Sequence, residues 1–120
     1  MIEDGTPIFV QIAHQIENDI IDGSILEESQ VPSTNEFAAF YRINPATAGK
    51  GVNRLVEDGI LYKKRGIGMF VSTGARERLI SARRKEFREE YLCPLLDEAA
   101  KLGIDSQQLT DMIHQEEVRS

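Results

Sequence analysis

The chain has 120 residues, a net charge of −6 and 41% hydrophobic residues, which suits one small domain or a small domain with an appended segment. No apolar run reaches the roughly 20 residues a bilayer span needs, and the acidic start Met1-Ile-Glu-Asp-Gly lacks a signal-peptide layout. A single cysteine, Cys93, excludes an internal disulfide, and no Cys/His cluster has zinc spacing. Cys93 therefore reads as a small buried apolar residue, and the expected location is cytoplasmic. With no Trp and only 7% aromatic residues, the expected core is aliphatic.

Thr6-Pro7 opens a first helix, Pro being suited to the first turn. Phe9, Ile12, Ala13, Ile16 and Ile20 then recur at helical spacing, and Gly23 is the stop signal. Ile25 to Val31 reads as an extended connection that is able to supply a small third strand to a later hairpin. Ser33 with Glu36 three residues on makes a capping box. The helix it opens turns Phe37, Ala38 and either Phe40 or Tyr41 inward. Arg42-Ile43 forms a turn, with Ile43 expected between two helices. Asn44-Pro45 starts the next helix, with Asn as cap and Pro at its first position.

That third helix runs to Asp58 and closes at Gly59. Ala48, Val52, Leu55 and Val56 form its inward stripe, leaving Ala46, Thr47, Gly49 and Lys50 on the other face. Gly49 and Gly51 each cost about 1 kcal/mol against Ala within a helix. They mark either tight packing or close approach to DNA. Ile60 to Lys64 and Met69 to Ser72, with Arg65-Gly-Ile-Gly between, read as a hairpin. A tip short of side chains fits a minor groove about 6 Å wide, and Arg65 gains from the negative potential there.

The order helix, turn, helix, hairpin is a winged helix-turn-helix, an element that enters DNA grooves. The charge follows it. Residues 1–30 carry seven acids and no Lys or Arg, whereas residues 31–74 carry six bases against three acids. Residues 75–120 carry eight bases and ten acids. A basic face acts on phosphate within a Debye length of about 8 Å, so it functions on an acidic protein. Lys63, Lys64 and Arg65 stand out as three bases at the hairpin tip, while Arg42 and Arg54 read as ordinary surface.

From Ala75 to about Leu102 a long helical pattern follows, with Pro94 expected to kink or break it near Tyr91. Gly103 ends it. Asp105 with Gln108 caps a last helix, with fraying expected from Glu116 onward. Leu79, Phe87, Tyr91, Leu92, Leu95, Leu96, Leu109, Met112 and Ile113 are more apolar surface than so small a head covers. The favoured use is a dimer interface; the alternative is that these helices fold back and complete the monomer's core. The expected class is therefore α+β and mainly helical: a winged helix-turn-helix over 1–74, then a short two-helix dimerisation segment over 75–120.

Four separated stretches carry a resemblance in the right order. They are Pro7-Ile-Phe-Val-Gln-Ile-Ala, Val31-Pro-Ser-Thr-Asn-Glu-Phe-Ala, Ile43-Asn-Pro-Ala-Thr-Ala and Gly59-Ile-Leu-Tyr-Lys-Lys-Arg-Gly-Ile-Gly-Met-Phe-Val. Together they resemble the GntR family of bacterial transcription regulators, and the short tail is similar to its YtrA-type subfamily. The resemblance implies a homodimer on an inverted-repeat operator, usually a repressor, with YtrA-type members often controlling transporter operons. Length excludes the family's PLP-containing branch, so no cofactor and no metal is implied. The family's DNA contacts fall on Ser33, Thr34 and Asn35, on Asn44, Ala46, Thr47 and Lys50, and on Arg65 and Gly66. The chain departs from the pattern at Asn35, usually Arg, and at Gly49, often basic. The operator's identity is what these departures leave open.

Catalysis is not expected. His14 and His114 lie far apart without partner motifs, and Gly66-Ile-Gly lacks the strand-to-helix context of a phosphate loop. The rival reading is a winged helix used as a protein adaptor, supported by net acidity and by Asn35. A small-molecule effector acting between head and tail is compatible with the architecture, though no residue identifies it.

Overall fold

The computed structural model describes residues 5–119; the acidic stretch 1–4 lies outside them. Its compact units divide between Ile80 and Ser81. The first unit thus extends past Gly74, for a reason visible in the packing below.

Three helices and a small sheet build the first unit. Helix α1 (Ile8–Ile21) has Pro7 as its cap rather than inside its first turn. Gly23, at φ +88°, follows the helix where the sequence places the stop. Helix α2 (Thr34–Tyr41) opens on the complete capping box: Ser33 Oγ accepts from Glu36 N–H, and Glu36 Oε1 accepts from Ser33 N–H. Such caps satisfy donors that the first turn otherwise leaves unpaired. Arg42 ends α2 in the left-handed region, at φ +55°. Helix α3 (Pro45–Glu57) starts on the Asn44 cap, whose Oδ1 accepts from Ala46 N–H at 2.8 Å.

Strands β1 (Gln30–Val31), β2 (Leu61–Lys64) and β3 (Gly68–Val71) form an antiparallel sheet in the order β1-β3-β2. The short third strand anticipated between Ile25 and Val31 is β1, with Gln30 opposite Phe70 and Val31 opposite Met69. In the hairpin, Leu61 faces Val71 and Lys64 faces Gly68. The core is aliphatic, with Ile16, Ile20, Val52, Leu55, Leu61 and Val71 fully buried. Phe37 is the one buried aromatic among the described residues. Tyr41 packs against this core, whereas Phe40 faces outward; Ile43 is partly buried against the same cluster.

Helix α4 (Ala75–Phe87) begins as part of this unit. Glu27 accepts from the backbone N–H groups of Gly74 and Arg76, an N-terminal cap supplied from a distant loop. Arg76 Nε donates to the Ile21 carbonyl, and Arg78 donates to the Gly59 carbonyl. Ala75 and Leu79 enter the core, Leu79 at 6% exposure. Leu79 was expected in a dimer interface; it is a core residue of the head, because these caps draw the first turns of α4 against it.

In the second unit the helical pattern is not broken ahead of Pro94. It opens into a π turn at Arg88–Leu92, with Cys93 N–H donating to the Arg88 carbonyl, and resumes as α5 (Cys93–Lys101). Proline has no N–H to give, so a disturbed hydrogen-bond ladder just before it is the natural outcome. Helix α6 (Ser106–Arg119) follows Gly103. Asp105 and Gln108 exchange reciprocal cap bonds at its start, and it continues past Glu116, where fraying was expected. Ala99 is the one buried residue described in this unit; Phe87 and Tyr91 are 61% and 65% exposed. Leu92, Leu95, Leu96, Met112 and Ile113 are exposed too, and Leu109 is half-buried. Cys93, expected to be buried, is exposed.

Candidate nucleic-acid interface

Helix α3 divides sharply around its axis. Ala48, Gly51, Val52 and Leu55 are buried, while Ala46, Lys50, Asn53 and Arg54 face outward. Thr47 and Gly49 are half-buried between these faces. The two helix glycines prove to have different reasons. A Cβ at Gly51 would stand 2.7 Å from the Phe9 carbonyl oxygen, so bare backbone there lets α1 approach. A Cβ at Gly49 would meet only the Thr34 methyl, at 3.5 Å, an ordinary contact. Gly49 thus lies where the starts of α2 and α3 come together, and it leaves that junction uncrowded.

At that junction Thr34 is half-buried and Asn35 exposed, with Ser33 and Asn44 both engaged as helix caps. Their capping sets the direction of two helix N-termini, whose unpaired N–H groups and dipole favour phosphate. An open groove beside α3 runs from Phe9 and Ala46 past Lys50, Asn53 and Arg54 to Glu57 and Asp58. Its charge therefore reverses along the helix. The basic half is the end that accepts a polyanion; the acidic half repels one.

The wing is a second cluster. Ile67 N–H donates to the Lys64 carbonyl across a turn containing Arg65 and Gly66, the latter at φ +78°. Gln30 braces the turn from β1, its Nε2 donating to the Ile67 carbonyl at 3.0 Å. Of the three bases expected at the tip, only Arg65 is in the turn. Lys63 and Lys64 belong to β2, where alternation sends them to opposite faces. Lys64 lies over the Phe70 ring, its Nζ 4.5 Å from the centroid, with Tyr62 beside it.

At the base of the wing Glu28, at φ +64°, accepts hydrogen bonds from Thr73 and Tyr62. The Thr73 hydroxyl, then that of Tyr62, holds the Glu28 carboxyl below its ordinary value, and Tyr62 is correspondingly raised. Backbone N–H groups of Gly74 and Arg76 lower Glu27, and the Ser33 cap lowers Glu36. These acids act as structural acceptors. Among the described residues no three His, Cys, Asp or Glu side chains converge as a metal site.

Three participants escape sequence reading: Phe9, Asn53 and Gln30. Spacing offers a signal for one of them, because residues 46, 50, 53 and 54 share a helix face. Phe9 looked like one more member of the α1 stripe. Nothing local marks Gln30, whose partner is remote in the chain.

The profile of bacterial regulatory proteins of the gntR family matches residues 9–71. The chain belongs to the GntR family. The transcriptional repressor YtrA of Bacillus subtilis is 29% identical over 90% of this chain and 82% of its own length. A putative GntR regulator from Bacteroides thetaiotaomicron superposes with a TM-score of 0.78 at 32% identity, covering 93% of this chain and 97% of that one. The DNA-binding domain of AraR, solved with its operator ORX1, superposes with a TM-score of 0.55 at 30% identity, over 60% of this chain and 87% of that one. For two further relatives from Bacillus subtilis, the HTH-type repressor NagR and the HTH-type regulator YurK, the match covers only 30% and 32% of their length. The winged helix is accordingly that of a DNA-binding transcription regulator, not of an enzyme. Among the described residues no helix is long and apolar enough to cross a membrane.

Proposed function

We propose that this chain is a repressor that binds a near-palindromic operator as a homodimer. The basic half of α3 enters the major groove, with Lys50 and Thr47 toward the bases and the helix starts at Ser33–Asn35 and Asn44–Ala46 against phosphate. The wing tip, Arg65 and Gly66, reaches the adjacent minor groove, with Lys63 and Lys64 near its walls. The observation that carries this reading is the division of α3 into a buried apolar face and an uncovered basic one, on a head similar to one solved with its operator. Homodimerisation is supported by the exposed Phe87, Tyr91, Leu92, Leu95, Leu96, Met112 and Ile113, with Leu109 half-buried among the same helices. Two-fold symmetry in the protein requires matching symmetry in the site.

The test is a selection of genomic fragments with the purified protein at two salt concentrations. A near-palindromic site is expected, with affinity falling with salt at a log–log slope of about −0.9 for each neutralised phosphate. Lys50→Ala and Arg65→Ala should both weaken binding, Arg65→Ala across most sequences. No enriched site at low salt, or parent-like binding by both variants, would refute the docking face. The genes beside the operator then name the chemical class of an effector to try for release.

A further inference from the structure

Phe9 lies on α1, outside the helix-turn-helix. Its ring nonetheless sits beneath the Lys50 ammonium, with Nζ 4.3 Å from the ring centroid. That is within the range of about 6 Å over which a cation is attracted to an aromatic face. The backbone at Gly51 explains the placement. It passes so near Phe9 that any Cβ would collide with the Phe9 carbonyl oxygen. The close approach of α1 and α3 thus sets where the Phe9 side chain begins, one residue along α3 from the lysine it meets. Phe9 is half-buried there, while Lys50 is exposed and at the basic end of the groove.

We propose that Phe9 is a positioning residue for DNA recognition. Its ring holds the Lys50 ammonium over the groove before DNA arrives, so that α1 contributes to binding through α3. A lysine on a four-carbon stem has much rotamer freedom to lose when it docks, and a ring that already restrains it lowers that loss. An ammonium above a ring face still directs hydrogen-bond donors away from the ring, toward an incoming acceptor. The inference rests on the reading of Lys50 as a DNA contact.

The test uses the full chain and an operator duplex recovered by the selection above. Phe9→Tyr keeps the ring and should bind as the parent does. Phe9→Leu keeps apolar volume but not the aromatic face, and should lose about two- to five-fold in affinity for each bound head. On a Lys50→Met background, Phe9→Leu should cost nothing further. An unchanged affinity for Phe9→Leu, or an equal loss on both backgrounds, would overturn the proposal. A second measurement needs no variant: in the parent protein the Lys50 side-chain protons should be shifted upfield by the ring current. Ordinary lysine shifts would overturn it. Parent-like affinity in Lys50→Met would remove Lys50 from the DNA contacts, and would overturn this inference with it.

Discussion

The two units of this chain use apolar residues in opposite ways. In the first, α1, α2, α3, the sheet and the opening turns of α4 bury a continuous aliphatic cluster, from Ile12 to Leu79. In the second, the described helices bury Ala99 and leave Phe87, Tyr91, Leu95, Leu96, Met112 and Ile113 exposed. The difference teaches that similar leucine-rich helical patterns serve different ends depending on what the rest of the chain brings to them. The head supplies α4 with a cap from Glu27 and anchors through Arg76 and Arg78, and Leu79 is drawn inward. Beyond Ile80, within the second unit itself, most of the large apolar side chains stay uncovered.

The contrast can be broken most directly at Leu95. A charge there, in Leu95→Asp, should yield a monomer by light scattering and lower operator affinity by about 100-fold or more, because two heads no longer bind as one unit. A variant that stayed dimeric with parent affinity would end the proposed role of this surface. Leu79→Ala sharpens the comparison from the other side. It should destabilise the head by roughly 2–5 kcal/mol in denaturant unfolding, while the folded protein keeps its oligomeric state. Dissociation without loss of head stability would return Leu79 to the interface.

The smallest effect concerns acid. The Glu28 carboxyl is held below its ordinary value of 4.5 by Thr73 and Tyr62. A depressed carboxylate contributes stability that is present above the unfolded value and lost as pH falls through the folded one. Head stability should therefore decline below about pH 4.5, and Glu28→Gln should flatten part of that decline while leaving the second unit's helix content unchanged. A parent and variant with superimposable acid profiles would remove Glu28 from the account.

Much of the head is legible in the sequence because its signals are local. Ser33 with Glu36, Asn44 with Pro45 and the glycines after α1 and α3 each act within a few residues, and each element begins or ends where they stand. The hairpin is likewise readable from Gly66 and Gly68. What the sequence withholds is set by distant partners. Gly49 and Gly51 look alike as letters, and only the position of Phe9 separates them. Lys63-Lys64-Arg65 reads as one basic cluster, yet strand alternation and the Phe70 ring divide it. Leu79 and Leu95 occupy equivalent-looking places in one helical pattern; the loop at Glu27, far back in the chain, decides which is buried. Cys93 shows the same limit, since burial depends on whether a neighbour exists, not on residue type.

The π turn at Arg88–Leu92 has a consequence for length. A wider turn holds one residue more than an α turn, so all that follows is rotated by about 100° relative to an uninterrupted helix. Deleting one residue between 88 and 92 lets the segment wind as an ordinary α turn with Leu95 and Leu96 still in the direction set by Phe87, whereas closing the π turn at unchanged length swings them away from it. A full-length chain wound as plain α-helix would carry every apolar side chain in its original order and still present a scrambled surface. The turn is thus a phase setting for the second unit: it holds one residue more without turning the apolar side chains that follow away from those before it.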